Sequence, residues 1–239
     1  MVEKLNAICY TLNTMKKLYG LIFDVDGVIA GTEPVNAKAT IRVFKDMFGL
    51  KGVKPEDFAE GIGRGAEQYV KAAADVHNLH LSKGQINKAA KLREWYLIKA
   101  MQEEPLPAYG GVLELINRAL QMRDFRLAIA TSATLELSRA ILESAKVPYE
   151  KMVYVTGSEV AKKKPDPELF LVAAGRMGIS PANCVVFEDA PSGVQAAKSA
   201  GAKCIAVTNS TAAEKLKQAD LVCGSLEQIN LETIRKLID

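Results

Sequence analysis

Histidine is nearly missing from this sequence, with only His77 and His80 in 239 residues. A histidine-rich zinc centre and a Ser-His-Asp hydrolase are therefore poorly supported, because both need imidazole as ligand or base. Cysteine is sparse as well. Cys9, Cys184, Cys204 and Cys223 lie far apart without a CxxC pair, so neither a thiolate metal site nor a disulfide framework is indicated. With no secretory signal at the start, a reduced, cytoplasmic setting is expected. An excess of one charge is also lacking. Thirty-one basic and 28 acidic residues leave a net charge of +3, which points to no nucleic acid and no membrane surface as partner. There is no internal repeat, and the longest like-charge run is Lys162 to Lys164. What remains, at 49% hydrophobic with 17 Gly and 9 Pro, is an ordinary globular composition, long enough for one core with a smaller insertion. Oxygen ligands would have to carry any metal chemistry.

The stretch "KLYGLIFD", Lys17 to Asp24, is a short apolar run ending in acid, the pattern of a central parallel strand. Similar runs recur in "FRLAIATS" (Phe125 to Ser132), "CVVFED" (Cys184 to Asp189), "KCIAVTN" (Lys203 to Asn209) and, more weakly, "ADLVCG" (Ala219 to Gly224). Helix-period segments lie between them, at Gly111 to Met122, Thr134 to Ala145, Pro167 to Met177 and Ser192 to Ala200. This alternation predicts βα units, a parallel sheet and right-handed crossovers. Residues 32–106 break it. "NAKATIRVFKDMF", "GAEQYVKAAADVH" and "KGQINKAAKLREWYLIKAM" all have helical spacing, and the prolines of "EEPLPAYGG" then end the helical run. The expected fold is a Rossmann-like α/β core (15–31 and 107–239) with an inserted α-helical cap (32–106) and an N-terminal extension (1–14).

In open parallel sheets, ligands bind outside the carboxyl ends of the strands. The first strand ends in Asp24, with Asp26 in the next loop; the second ends in Thr131 and Ser132; the third ends in Glu188 and Asp189. Lys164 lies in a loop fixed by Pro165 and Pro167. Carboxylates, a hydroxyl and a lysine converging on one sheet edge would make a Mg²⁺ and phosphate site, because hard magnesium prefers oxygen.

"DVDGV", "AT" at Thr131, "KKPDP" at Lys164 and "EDAPSGVQAAKSAGA" match, in order and spacing, the four motifs of the haloacid dehalogenase superfamily. The chain resembles that superfamily's phosphatase and β-phosphoglucomutase branch, whose inserted cap would occupy the interval between Asp26 and Thr131. The resemblance implies a hydrolase acting on a small phosphorylated metabolite. Asp24 would be the nucleophile, forming an aspartyl-phosphate, and Asp26 the general acid and base. Asp26 should then have a raised pKa, with Asp24 held ionised by metal and Lys164. Mg²⁺ would be held by Asp24, the Asp26 backbone carbonyl and Asp189, with Glu188 in or beside its shell. Thr131, Ser132, Lys164 and the loop amides at Gly27 would hold phosphoryl oxygens. Arg64, between the helices of the cap, falls where related mutases grip a distal phosphate. Trp95, Tyr96, His77 and His80 are assigned to cap packing or its solvated face.

Asp26 counts against carbon–halogen and phosphonate cleavage, since relatives with those activities lack an acid at this position. The competing activity is a phosphomutase. Where β-phosphoglucomutase has a cap-hinge histidine this chain has Asn36, and where it has Ser-Lys-Asn after the second motif this chain has Ala133, Thr134 and Leu135. Loss of those anchors favours hydrolysis of a sugar phosphate or similar ester. A noncatalytic protein with the same fold is the remaining alternative, and the intact Asp24, Asp26, Thr131, Lys164 and Asp189 argue against it.

Overall fold

The computed structural model describes residues 17–62 and 64–239. The N-terminal extension, Cys9 and Gly63 lie outside the described residues. Six parallel strands form one sheet: β1 (Tyr19–Phe23), β2 (Phe125–Ala130), β3 (Val153–Val155), β4 (Cys184–Glu188), β5 (Lys203–Val207) and β6 (Leu221–Cys223), in the order β3-β2-β1-β4-β5-β6. β1 is central, with Ile22 in register with Ala128 on one side and Val186 on the other. The chain builds outward from β1 to β3 and then returns to add β4 beside β1, so the topological switch point lies between β1 and β4.

Alternation along the strands divides the core. Leu21, Phe23, Leu127, Ile129, Val185 and Phe187 face one layer, with α4 (Val112–Leu120), α5 (Leu135–Ser144) and α8 (Leu231–Ile238). Ile22, Ala128, Val186 and Ala206 face the other, with α6 (Glu168–Met177) and α7 (Pro191–Ser199). Covering both faces explains the unbroken apolar runs. Phe23 and Phe187 stack across β1 and β4 at 4.5 Å between ring centroids, adding an offset aromatic contact to their burial.

Between β1 and β2 the chain forms α1 (Glu33–Phe48), a 3₁₀ turn at Pro55–Gly61, α2 (Ala66–Val76) and α3 (Lys83–Glu103). Gly49 closes α1 in the left-handed conformation, and a Ser82–Gln85 capping box opens α3. These helices have a core of their own, centred on Val43, Phe44, Phe58, Tyr69 and Val70. Phe58 stacks on Tyr69 at 4.6 Å, and full burial of each such ring contributes about 1.5–3 kcal/mol. The exit and return strands of this insertion run side by side, through an Ala30–Ala108 bridge and a Tyr109 N–H to Ile29 carbonyl bond of 2.8 Å.

β3 and α8 are not marked by the sequence pattern. β3 is a three-residue, half-buried edge strand within "MVYVTG", too short for either period to show. Among the described residues, no helix is long and apolar enough to cross a membrane.

Candidate active site

The carboxyl end of β1 delivers Asp24 to the switch point, where its N–H donates to the Phe187 carbonyl of β4 at 3.1 Å. Beside it, β4 ends in Glu188 and Asp189. One oxygen each of Asp24, Glu188 and Asp189 lies within 4.8 Å of the others, and all three residues are buried. Lys164 reaches them from the loop before α6. Its Nζ donates to Glu188 Oε1 at 2.5 Å and pairs with Asp24 Oδ1 at 3.0 Å. The second Glu188 oxygen accepts the Asp189 and Ala190 N–H groups at 3.0 and 3.2 Å, at the start of α7. Glu188 is therefore satisfied on both oxygens by the protein itself and acts as the clamp that orients Lys164 and the Asp189 backbone.

Electrostatics separates the members of this cluster. Burial works against the charge of Lys164, but Asp24 and Glu188 outweigh it and raise its pKa. Burial pushes the Asp24 carboxyl up to about 7; Lys164 opposes that rise, and Glu188 and Asp26 add to it. Asp189 is raised well above the ordinary carboxylate range by burial, then by Glu188 and Asp24, with Ser210 pulling it back. The sequence expectation held Asp24 ionised by metal and Lys164 together; with Lys164 alone, burial among acids leaves Asp24 raised, because one lysine does not balance them.

The donor set fits a hard divalent cation. It is all oxygen, it is concentrated within a few ångströms, and Asp24 Oδ1 is buried with no aligned hydrogen bond despite its ion pair with Lys164, so a lone pair stays available to an ion. Gly27 supports the same cluster. At φ +74°, a Cβ there would stand 1.8 Å from Asp189 Oδ2, so only glycine lets the loop lie against this carboxylate. Gly27 differs from expectation in one respect: its N–H donates to the Ala30 carbonyl at 3.0 Å, so the amide assigned to phosphate is used to close the loop. Gly27 contributes space and turn geometry instead.

Above this floor lies a cavity of about 430 Å³ between sheet edge and inserted helices, lined by Asp24, Asp26, Gly27, Asp189 and Ser132 below and by Arg64 from the insertion. Asp26 is half-buried, and its Oδ1 accepts from Thr32 Oγ1 at 2.6 Å. Thr131 and Lys164 are buried and do not line the cavity. Thr131 Oγ1 accepts the Ala133 N–H at 3.2 Å, and Lys164 sits behind Asp24. Arg64 is held loosely, its Nη1 donating to the Glu60 carbonyl at 3.3 Å. Among the residues kept apart from the site, Trp95 is 55% exposed, His77 pairs with Asp57 at 2.7 Å, and Tyr96 donates to Asp46 at 2.8 Å.

Sequence reasoning marked Asn36 only as the place of a missing hinge histidine and otherwise missed the upper wall. Glu33, Asn36, Tyr69, Arg93 and Glu94 all line the cavity, and Asn209 Nδ2 braces the Gly27 carbonyl from below at 2.8 Å. Thr134 caps α5, accepting the Leu137 N–H at 3.3 Å, and donates to Glu94 of α3 at 2.5 Å. One signal was present in the sequence: Arg93 falls on the same helical stripe as Ala89, Leu97 and Met101, a charge among buried apolar positions.

The sequence pattern of the family described as "Haloacid dehalogenase-like hydrolase" matches residues 21–207. Hexitol phosphatase A of Escherichia coli (strain K12) is 31% identical over 212 residues, covering 89% of this chain and 93% of that protein. Beta-phosphoglucomutase of Bacillus subtilis (strain 168) is 28% identical over 229 residues, covering 90% and 93%. The solved structure of CbbY from Rhodobacter sphaeroides in complex with phosphate superposes with a TM-score of 0.81 at 25% identity, covering 91% of this chain and 99% of that one.

Proposed function

This chain belongs to the haloacid dehalogenase-like hydrolase family, and from that premise we propose that it is a Mg²⁺-dependent phosphatase of a small phosphate monoester, a sugar or polyol phosphate. The observation that carries this reading is the joining of Asp24, Lys164 and Asp189 at the switch point, with Asp24, Asp26 and Asp189 all opening into one cavity.

In this mechanism a carboxylate oxygen of Asp24 attacks phosphorus, an O–P bond forms, and the ester P–O bond breaks. Asp26 gives its proton to the leaving oxygen, then takes one from the water that attacks the phosphoaspartate, releasing inorganic phosphate and restoring Asp24. Lys164 holds Asp24 in place and offers its charge to the phosphoryl oxygens, with Thr131 and Ser132 shaping the adjacent β2 end. Arg64 lines the cavity from the cap, residues 32–106, where its guanidinium fork suits an oxygen of the bound ester. Asp24, Asp189 and the Asp26 backbone carbonyl would hold Mg²⁺, with Glu188 beside that shell as the clamp on Lys164 and the Asp189 backbone. When bound, the ion neutralises charge between the carboxylate and the incoming phosphate.

Hydrolysis is favoured over phosphomutase chemistry by Thr134. Its hydroxyl is committed to the α5 cap and to Glu94, and its neighbours Ala133 and Leu135 are apolar, so this segment has little left to grip a second phosphate. Phosphate release from a panel of sugar and polyol phosphates, with Mg²⁺ and with EDTA, tests the proposal. We expect Mg²⁺-dependent release that EDTA abolishes; folded protein that releases no phosphate from any ester would overturn it.

A further inference from the structure

Arg93 is the least explained group in the cavity wall. It is 5% exposed, on a stripe of α3 that is otherwise apolar, yet it lines the cavity. Nη2 donates to Asn36 Oδ1 at 2.6 Å, and the guanidinium lies 4.8 Å over the Tyr69 ring. Tyr69 is tied in turn through its hydroxyl to Glu33. Residues of α1 and α2 thus fix a guanidinium from α3, while its buried Nε–H has no hydrogen-bond partner. Leaving a buried charged donor unmet is costly, and native structures keep such groups where they have a use.

The surroundings narrow the ligand. Burial works against the Arg93 charge, and Asp26, Tyr69, Glu33 and Glu94 favour it, so the cation already has acidic company. A second phosphate dianion placed here would face Glu33 and Glu94 as well as Arg93. A neutral hydroxyl accepts from Arg93 and donates to Glu33, satisfying both. Asp26 opens into the same cavity, so groups near Arg93 belong to the part of the substrate that leaves with the ester oxygen.

Resting on the phosphatase reading above, we propose that Arg93 is a specificity-determining residue. Held by Asn36 and Tyr69, its guanidinium donates to hydroxyl oxygens of the leaving group while Glu33 accepts from them, selecting hydroxyl-rich monoesters over bisphosphates. The asparagine at position 36 has a use in this arrangement: it orients the arginine.

The test compares wild type, Arg93→Met and Arg93→Lys, with Mg²⁺, on a hexose phosphate, on p-nitrophenyl phosphate, whose leaving group has no alcohol, and on a hexose bisphosphate. For Arg93→Met we expect kcat/KM on the hexose phosphate to fall about 10- to 100-fold, the range of one charge-assisted hydrogen bond. The fall should come mainly through KM, with p-nitrophenyl phosphate turnover within about two-fold of wild type. Arg93→Lys, which keeps the charge and loses the planar fork, should recover part of the loss; if Arg93→Met does not fold, this variant alone carries the comparison of the two esters. Equal losses on both esters, no loss on either, or a wild-type preference for the bisphosphate would overturn the assignment. Absence of turnover by wild type on every ester would instead overturn the phosphatase reading on which it rests.

Discussion

At Gly27 the backbone is left-handed at φ +74° and an Asp189 oxygen fills the space a side chain would take. Gly27→Ala therefore combines a strained conformation with a clash against a member of the acidic cluster. We expect a loss of about 1–3 kcal/mol of stability, together with weaker Mg²⁺ dependence of activity, because Asp189 must move. Chemical denaturation and a Mg²⁺ titration of turnover check both parts, and an unperturbed Mg²⁺ profile would show that Asp189 does not need this glycine. The need for glycine in a tight turn here was legible in the sequence, but the Asp189 carboxylate filling its open side was not. The resemblance to the family implies an amide offered to phosphate, whereas the nearness of residue 189 to residue 27 exists only once β4 lies beside β1. The same holds for Glu188, whose two oxygens are taken up by Lys164 and by backbone that the sequence places far away or gives no direction.

Among the elements, the five apolar runs marked as strands are strands because both faces of the sheet are covered, which leaves a strong and simple signal. β3 escapes that signal at a half-buried edge. The polar wall under the inserted helices escapes for another reason: Glu33, Asn36, Tyr69 and Arg93 come from three helices, and helical spacing says which face each occupies but not which helix it meets. An ion pair outside the site gives a test of how the elements are tied together. Asp220, before β6, accepts from Lys198 of α7 at 2.6 Å and from the Cys204 N–H of β5 at 2.8 Å. Burial raises its pKa, but Lys198 and that N–H overcome this and hold it below the ordinary carboxylate range. A depressed carboxylate adds stability above its unfolded pKa and loses it as pH falls through the folded value. Asp220→Asn should thus cost about 1 kcal/mol or less at neutral pH, given the partial exposure of the pair. The gap from wild type should close as pH falls below the usual carboxylate range. Thermal melts across pH check this, and a constant gap down to strongly acidic pH would contradict it.

For the whole molecule, a buried acidic cluster at the junction of a parallel sheet and an inserted helical unit predicts that metal binding and folding are linked. Burial raises both Asp24 and Asp189, and a cation bound by the folded chain should offset their mutual repulsion. Mg²⁺ at about one hundred times its Kd should add about 2.7 kcal/mol of stability by mass action, visible as a higher Tm. Asp189→Asn should remove most of that increment; a Mg²⁺ shift that survives intact in this variant would place the ion elsewhere.

In the proposed mechanism Asp24 carries the phosphoryl group during turnover. Rapid quenching of the enzyme with a hexose phosphate and Mg²⁺, followed by peptide mass analysis, measures this directly, with Asp24→Asn as the paired variant. We expect a phosphorylated peptide containing Asp24 that forms and decays within turnover, and a folded Asp24→Asn protein without activity. Turnover near the wild-type rate in Asp24→Asn would contradict it.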